Sequence, residues 1–97
     1  MIEVDFQYPR TRITVPDPVW MYGKGVKLKI NNPPTNYHAE FDQGEKVFPV
    51  NDVITIPDHY FERCEPVNVY LVSVNGAAVN TLTRIIIPVY YRPPRPA

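Results

Sequence analysis

Prolines interrupt this chain along its whole length, and they restrict it to short extended segments. There are 12 prolines among the 97 residues, against only 4 glycines. Proline breaks the interior of a helix, and in a sheet it is confined to edges and strand ends. The chain is therefore predicted to form many short strands joined by turns, with little helix.

Apolar and polar residues alternate with a period of two through most of the chain. The clearest case is the segment from Val26 to Ile30, where apolar residues alternate with two lysines. Such alternation predicts strands that bury one face and expose the other. The segments with extended, strand-like patterns are 2–8, 13–15, 26–30, 37–41, 46–50, 53–56, 67–74 and 82–91.

Two local signals refine this pattern. Pro57-Asp58 suits the first turn of a helix, and Tyr60, Phe61 and Cys64 follow at helical spacing. We expect one or two helical turns there, closing one end of the core. The two strongest strands are joined across Asn75-Gly76, a dipeptide typical of β-hairpin turns.

The number and spacing of these segments predict the architecture. About seven to eight short strands with frequent turns are typical of a two-layer antiparallel, Ig-like β-sandwich, with a small barrel as the alternative. We expect one domain over residues 1–91. Residues 92–97 are predicted to form an extended proline-rich tail that does not join the core.

Charge and composition disfavour several classes of function. Lys plus Arg equals Asp plus Glu, at 10 each, so the chain lacks the basic character typical of nucleic-acid binding. No apolar run approaches the roughly 18 residues of a membrane span. The N-terminus does not resemble a secretory signal, so we expect synthesis in a cytoplasm. The single cysteine, Cys64, excludes an intrachain disulfide and is expected to be buried or half-buried.

The sequence does not assemble a catalytic or metal-binding set, so we expect no enzyme activity and no cofactor. A metal site needs converging His, Cys and acidic ligands, whereas His38 and His59 are expected at the surface or in turns. Ser73 lies within a strand, without the sharp turn of a nucleophile. Cys64 paired with a histidine is the one alternative that would support a hydrolase.

Aromatic residues in loops are stronger candidates for function. Trp20, Met21, Tyr22 and Tyr37 lie in connections expected to be adjacent. Exposed aromatic side chains stack on sugars or fill pockets on partner proteins. The alternative is packing into the core, which we favour for Trp20, whereas Tyr22 fits either interpretation.

Two further surfaces are considered for partner binding. The extended C-terminal segment can lie along a neighbouring protein. Its candidate residues are Tyr91, Arg92, Pro93, Pro94 and Arg95. Basic residues interleaved with Tyr8, Trp20 and Tyr22 form a weaker candidate anion-binding face, for which solvated side chains are the commoner explanation. These basic residues are Arg10, Arg12, Lys24, Lys27 and Lys29.

Several short motifs occur together along nearly the whole chain. They are Val15-Pro16, Trp20, Tyr22-Gly23, the strand 27–30, the segment 37–41, Ile56-Pro57-Asp58, 69–72, 83–89 and 92–96. In this combination the chain resembles a small domain of virion and minor structural proteins in phages and prophages of Gram-positive bacteria. In that family the proline-rich tail often leads to further sequence, whereas this sequence ends at the tail.

The resemblance implies a β-sandwich that docks on a virion as a non-enzymatic structural protein. We expect a capsid decoration protein or an anchor for a head fibre or other appendage, docking through its termini and loops. The implied partners are other virion proteins, namely the major capsid protein or a tail or neck protein, with many copies on a symmetric assembly. The implied location is the virion, after synthesis in the host bacterial cytoplasm. The alternatives are a tail or baseplate component and a carbohydrate-binding module for host surface glycans.

Overall fold

The computed structural model describes residues 1–6, 12–75 and 78–93, with Asn75 and Ala78 described by their backbone only, and its regular secondary structure is almost entirely β-strand. The only helix within these ranges is one 3-10 turn at Asp58–Phe61. The all-β prediction is confirmed, as is the position of the helical turn. The strands are β1 Ile2–Asp5, β2 Arg12–Thr14, β3 Val19–Trp20, β4 Lys27–Asn31, β5 Tyr37–Phe41, β6 Lys46–Val47, β7 Val53–Thr55, β8 Val67–Asn75, β9 Ala78–Ile87 and β10 Val89–Tyr90.

The strands form three sheets. A five-stranded sheet has the order β2-β9-β8-β5-β6, a three-stranded sheet has the order β1-β4-β7, and β3 and β10 form a two-stranded ribbon. The predicted antiparallel arrangement is wrong for three pairs, because β1–β4, β2–β9 and β3–β10 are parallel. None of these pairs is joined by a hairpin, so no tight turn imposes an antiparallel direction on them.

Ten strands replace the seven to eight expected because prolines divide two longer strands. Pro88 separates β9 from β10, and Pro16 and Pro18 lie between β2 and β3. The ladder nevertheless continues past these breaks, since the Val15 amide donates to the Ile86 carbonyl and the Val19 amide to the Pro88 carbonyl, both at 2.9 Å. Residues 12–20 and 84–90 are therefore held side by side along one ladder.

A single hydrophobic core receives side chains from the two larger sheets and from the helical turn. Leu28 and Ile54 of the three-stranded sheet belong to the same buried cluster as Leu71 and Ile85 of the five-stranded sheet. Phe61 is fully buried in that cluster, which confirms that the helical turn closes the core. Alternate residues of β8, β9 and β10 are buried, as the period of two predicts, and they are Val67, Val69, Leu71, Ile85, Ile87 and Val89.

The β8–β9 hairpin is confirmed up to the pair formed by Asn75 and Ala78, while Gly76 lies outside the described residues. The pairing contains one irregularity, because Leu71 lies opposite Thr83 whereas Val72 lies opposite Thr81. One extra residue of β9 is accommodated there, which is the geometry of a β-bulge. The bulge occurs in the middle of the hairpin and not at its turn.

Candidate functional site

The four residues of the expected aromatic loop surface are separated by the fold. Met21 is only 7% exposed and Tyr37 is also buried, its hydroxyl donating to Asp52 Oδ1 at 2.9 Å. Trp20 is 55% exposed and Tyr22 is exposed as well. Met21 and Tyr37 are therefore core residues. Trp20 is exposed, so the prediction that it packs into the core is wrong.

The exposure of Trp20 follows from the register of the β3–β10 ribbon. Val19 pairs with Val89 and Trp20 pairs with Tyr90. Successive side chains of a strand point to opposite faces, so burial of Val89 turns both Tyr90 and Trp20 outward. The two rings meet edge to face, with centroids 5.7 Å apart and an interplanar angle of 83°.

A tight turn after β3 holds this pair in place. Tyr22 has a φ of 63°, and its amide donates to the Phe61 carbonyl at 2.7 Å. The Gly23 amide returns to the Trp20 carbonyl at 3.2 Å, and a β-carbon on Gly23 would lie 3.0 Å from Val19 Cγ1. A β-carbon at position 23 would therefore press on Val19 Cγ1, and the Tyr22 amide ties this turn to the helical turn.

The C-terminal candidates extend the same surface. Tyr90 is 53% exposed, Tyr91 is exposed, and Arg92 lines a shallow depression together with Trp20. We call Trp20, Tyr90, Tyr91 and Arg92 the aromatic edge. Pro93 is exposed directly after it, while Pro94 and Arg95 lie outside the described residues, as does most of the predicted tail.

A second surface feature is a cleft of about 110 Å³ with polar walls, which we call the polar cleft. On one side, Asp42 accepts hydrogen bonds from Asn68 Nδ2 at 2.9 Å and from the Tyr70 hydroxyl at 3.0 Å. Asn68 Oδ1 in turn accepts from Arg84 Nε at 3.0 Å. The lining residues are Asp42, Gln43, His59, Tyr60, Arg63, Glu65, Pro66, Val67 and Asn68.

The other side of the polar cleft joins the helical turn to the β5–β6 connection. Glu45 Oε1 lies 2.6 Å from His59 Nε2 and accepts from the Tyr60 hydroxyl at 3.3 Å. Burial and the nearby Glu45 carboxylate raise the pKa of Tyr60 to about 12. Burial and Asp42 likewise raise the pKa of Tyr70. Both phenols therefore stay uncharged at neutral pH. Each donates a hydrogen bond to one carboxylate, Tyr60 to Glu45 and Tyr70 to Asp42.

His38 and Cys64, which were considered for catalysis, have separate partners. We expected His38 at the surface, but it is only 6% exposed. Phe48 lies over it, with ring centroids 5.3 Å apart. Its Nε2 lies 3.1 Å from Glu40 Oε2. Cys64 follows the helical turn and is exposed, contrary to its expected burial, with its thiol 3.5 Å from the Val89 carbonyl oxygen.

The remaining candidates do not form one basic face. Arg12 belongs to the five-stranded sheet, whereas Lys27 and Lys29 belong to the three-stranded sheet. Arg10 and Tyr8 lie outside the described residues. Within residues 1–6, 12–75 and 78–93, no group of three or more His, Cys, Asp or Glu side chains is arranged to hold a metal ion.

A third exposed surface is apolar. Phe48 and Val50 are 70% and 71% exposed, and with Met1 they border a shallow depression beside β7. Phe48 already has a structural role as the cover of His38. This surface therefore has a local packing function that the aromatic edge lacks.

Comparison with known proteins finds no matching family model and no significantly similar curated protein or solved structure. In the part of the chain that the structure describes, no helix has the length and apolar character needed to span a membrane.

Proposed function

We propose that the protein is a non-enzymatic structural component of a phage virion, either a capsid decoration protein or an anchor for a head fibre or other appendage. The motifs that resemble virion proteins of Gram-positive phages motivate the proposal. The observation that carries it is the aromatic edge, where exposed Trp20 and Tyr90 lie beside the C-terminal segment.

The composition of the aromatic edge suits a protein–protein contact. Trp, Tyr and Arg are the side chains that most often dominate binding energy at interfaces. Contiguous exposed apolar surface on a small soluble domain commonly marks an interaction site. A symmetric particle would present many equivalent docking positions. A weak contact at each position is then sufficient for stable attachment when several copies or contacts are linked.

The finer architecture belongs to the same proposal. An Ig-like sandwich would place the three-stranded and five-stranded sheets on either side of the shared core. Passage of the chain from β1 in one sheet to β2 in the other supports this arrangement. Residues 92–97 would then form an extended tail that leaves the domain next to the aromatic edge.

The proposed location is the virion, and the proposed partners are the major capsid protein or a tail or neck protein. Quantitative mass spectrometry of particles purified from the source tests this. We expect the protein to co-purify with the particles. A copy number comparable to that of the shell protein would indicate a decoration protein, a few copies would indicate a neck, tail or baseplate position, and absence would contradict the proposal.

A carbohydrate-binding module is the second candidate, favoured by the exposure of Trp20, Tyr22 and Tyr90. Sugar rings stack on aromatic faces, whereas Trp20 and Tyr90 meet at 83° and offer no common plane. A glycan array comparing the wild type with Trp20→Ala and Tyr22→Ala separates the two candidates. Binding that either variant abolishes would support the module, and absence of binding would favour the structural role.

A further inference from the structure

The outer face of the β2–β9 and β3–β10 ladders carries three matched pairs of side chains. Burial of Ile85, Ile87 and Val89 turns the alternate residues of β9 and β10 away from the core. The parallel register then places one residue of β2 or β3 beside each of them. The pairs are Arg12 with Arg84, Thr14 with Ile86, and Trp20 with Tyr90, and we call these six residues the docking stripe.

The two arginines of the docking stripe repel each other. Like charges at the same register of neighbouring strands destabilise a sheet. Among the described residues, the ion pairs within 4 Å involve only His38 and His59, so neither Arg12 nor Arg84 has a carboxylate partner there. Arg84 uses Nε to reach Asn68 Oδ1, which leaves its terminal nitrogens to bond elsewhere.

The stripe is basic at one end and aromatic at the other. Arg84 and Tyr90 are six residues apart, about 20 Å at the rise of an extended strand. Arg92 adds a further positive charge beside Trp20. The one acidic residue in the connection from β2 to β3 is Asp17, which is exposed.

The carboxylates on the same sheet do not match this surface. Asp42 is occupied by Asn68 and Tyr70, and Glu40 is occupied by His38. In a two-fold dimer the stripe would face the stripe of the second copy, which offers two arginines and no carboxylate of its own. The complementary carboxylates therefore belong to a different protein.

We propose that the docking stripe binds an acidic and apolar patch on a neighbouring protein of the particle. The proposal rests on the proposed function and adds the chemistry of the partner. Carboxylates of the partner bond the guanidinium groups of Arg12 and Arg84, for which arginine provides a planar set of donors. An apolar side chain about 20 Å away packs against Trp20 and Tyr90.

A peptide probe tests the chemistry independently of any particle. The probe is a peptide of about ten residues with paired glutamates at one end and paired phenylalanines at the other, separated by serines and made in both orders. Titration into isotope-labelled protein, followed by NMR, should shift the amides of the stripe. The same peptide with lysines replacing the glutamates should not. Equal shifts with both peptides, or shifts centred elsewhere, would overturn the proposal.

Charge reversal tests the surface on particles. The double variant Arg12→Glu with Arg84→Glu should associate roughly tenfold or more weakly with particles stripped of the protein, because repulsion replaces attraction. The matched control, Lys24→Glu with Lys27→Glu, makes the same change in charge at exposed positions off the stripe. Arg12→Glu alone, at an exposed residue, serves if loss of the Arg84–Asn68 bond disturbs folding.

The outcomes distinguish this proposal from the proposed function. Normal particle binding by the reversed variant would overturn the stripe and leave the virion role intact. Failure of the wild type to bind particles, together with a stripe-specific response to the acidic peptide, would overturn the virion role and retain the stripe. Self-association in sedimentation that the reversal abolishes would identify a second copy as the occupant and contradict the inference of a different protein.

Discussion

The charged side chains of the polar cleft and of the docking stripe differ in whether they have bonding partners within the chain. In the polar cleft, Asp42 and Glu45 each accept hydrogen bonds from neutral or imidazole groups of the same chain. In the docking stripe, Arg12 and Arg84 lie side by side, and the described residues provide no carboxylate within 4 Å of either. The carboxylates of the cleft are bonded within the chain, whereas the arginines of the stripe have no carboxylate partner among the described residues.

This difference separates stability from binding. Removing one member of a satisfied hydrogen-bonded pair leaves the other without its partner and lowers the free energy of unfolding. Removing an unpaired surface charge usually changes that free energy by little. Substitutions in the cleft should therefore destabilise the fold and spare docking. Substitutions in the stripe should weaken docking, with a larger stability cost at Arg84 than at Arg12, because Arg84 bonds Asn68 of the cleft.

The largest expected effect contrasts two aromatic residues. Phe61→Ala removes a fully buried ring of the helical turn and should lower the free energy of unfolding by about 3–5 kcal/mol. Trp20→Ala removes a larger but exposed ring and should cost about 1 kcal/mol or less. Urea denaturation measures both. Similar losses of unfolding free energy for the two variants would contradict the distinction between a stabilising region and a binding region.

The next effect isolates the Asp42 side of the polar cleft. Asp42→Ala deprives Asn68 and the Tyr70 hydroxyl of their acceptor and should cost about 1 kcal/mol, since water replaces part of the lost bonding. A double-mutant cycle with Tyr70→Phe isolates the Asp42–Tyr70 term. Particle association should be unchanged in all three variants, and a loss of docking there would assign binding to the cleft.

Alkaline pH should weaken the cleft and the buried Tyr37 site. The usual tyrosine pKa is 10.0, burial with Glu45 raises that of Tyr60 to about 12, and burial with Asp52 raises that of Tyr37. Below about pH 10 these phenols are neutral in both the folded and unfolded states, and their contribution is fully present. Between about pH 10 and 12 only the unfolded state loses the protons, so the free energy of unfolding should fall. Tyr37→Phe and Tyr60→Phe should each make that fall shallower in urea titrations.

The smallest expected effect provides a neutral reference. Cys64 is exposed and makes one long contact with the Val89 carbonyl. Cys64→Ala should change the free energy of unfolding by no more than about 0.5 kcal/mol and should leave particle association intact. A hydrolase activity present in the wild type and lost in Cys64→Ala would support the hydrolase alternative.

Local alternation predicted the strands well because one residue step reverses the face. It identified the buried positions of β4, β8 and β9, while Pro57-Asp58 and the helical spacing after it identified the turn that buries Phe61. It did not predict the parallel pairing of β2 with β9, because a strand's distant partner is not encoded in its own period. Two-residue β3 was too short for a period to appear, so its phase, with Trp20 outward and Met21 buried, required the register with β10.

The candidate site was predicted only in part for the same reason. Trp20 and Arg92 were identified individually, whereas their neighbour Tyr90 and the opposing Arg84 were missed. Outward alternation from Ile85 and Ile87 would have identified Arg84 and Tyr90 as facing away from the core. Their partners across the ladder come from residues about seventy positions earlier, which only the tertiary structure supplies. His38 is buried for a comparable reason, because Phe48 from a later segment covers it.

Hydroxyl-radical footprinting of the protein, free and on purified particles, tests the central claim most directly. Aromatic side chains label strongly when exposed, so Trp20, Tyr90 and Tyr91 provide the signal for docking and Phe48 provides the reference. The account predicts strong protection of the first three residues on the particle, with Phe48 labelled as in the free protein. Unchanged labelling of Trp20 and Tyr90, with protection of Phe48 or of the polar cleft, would contradict it.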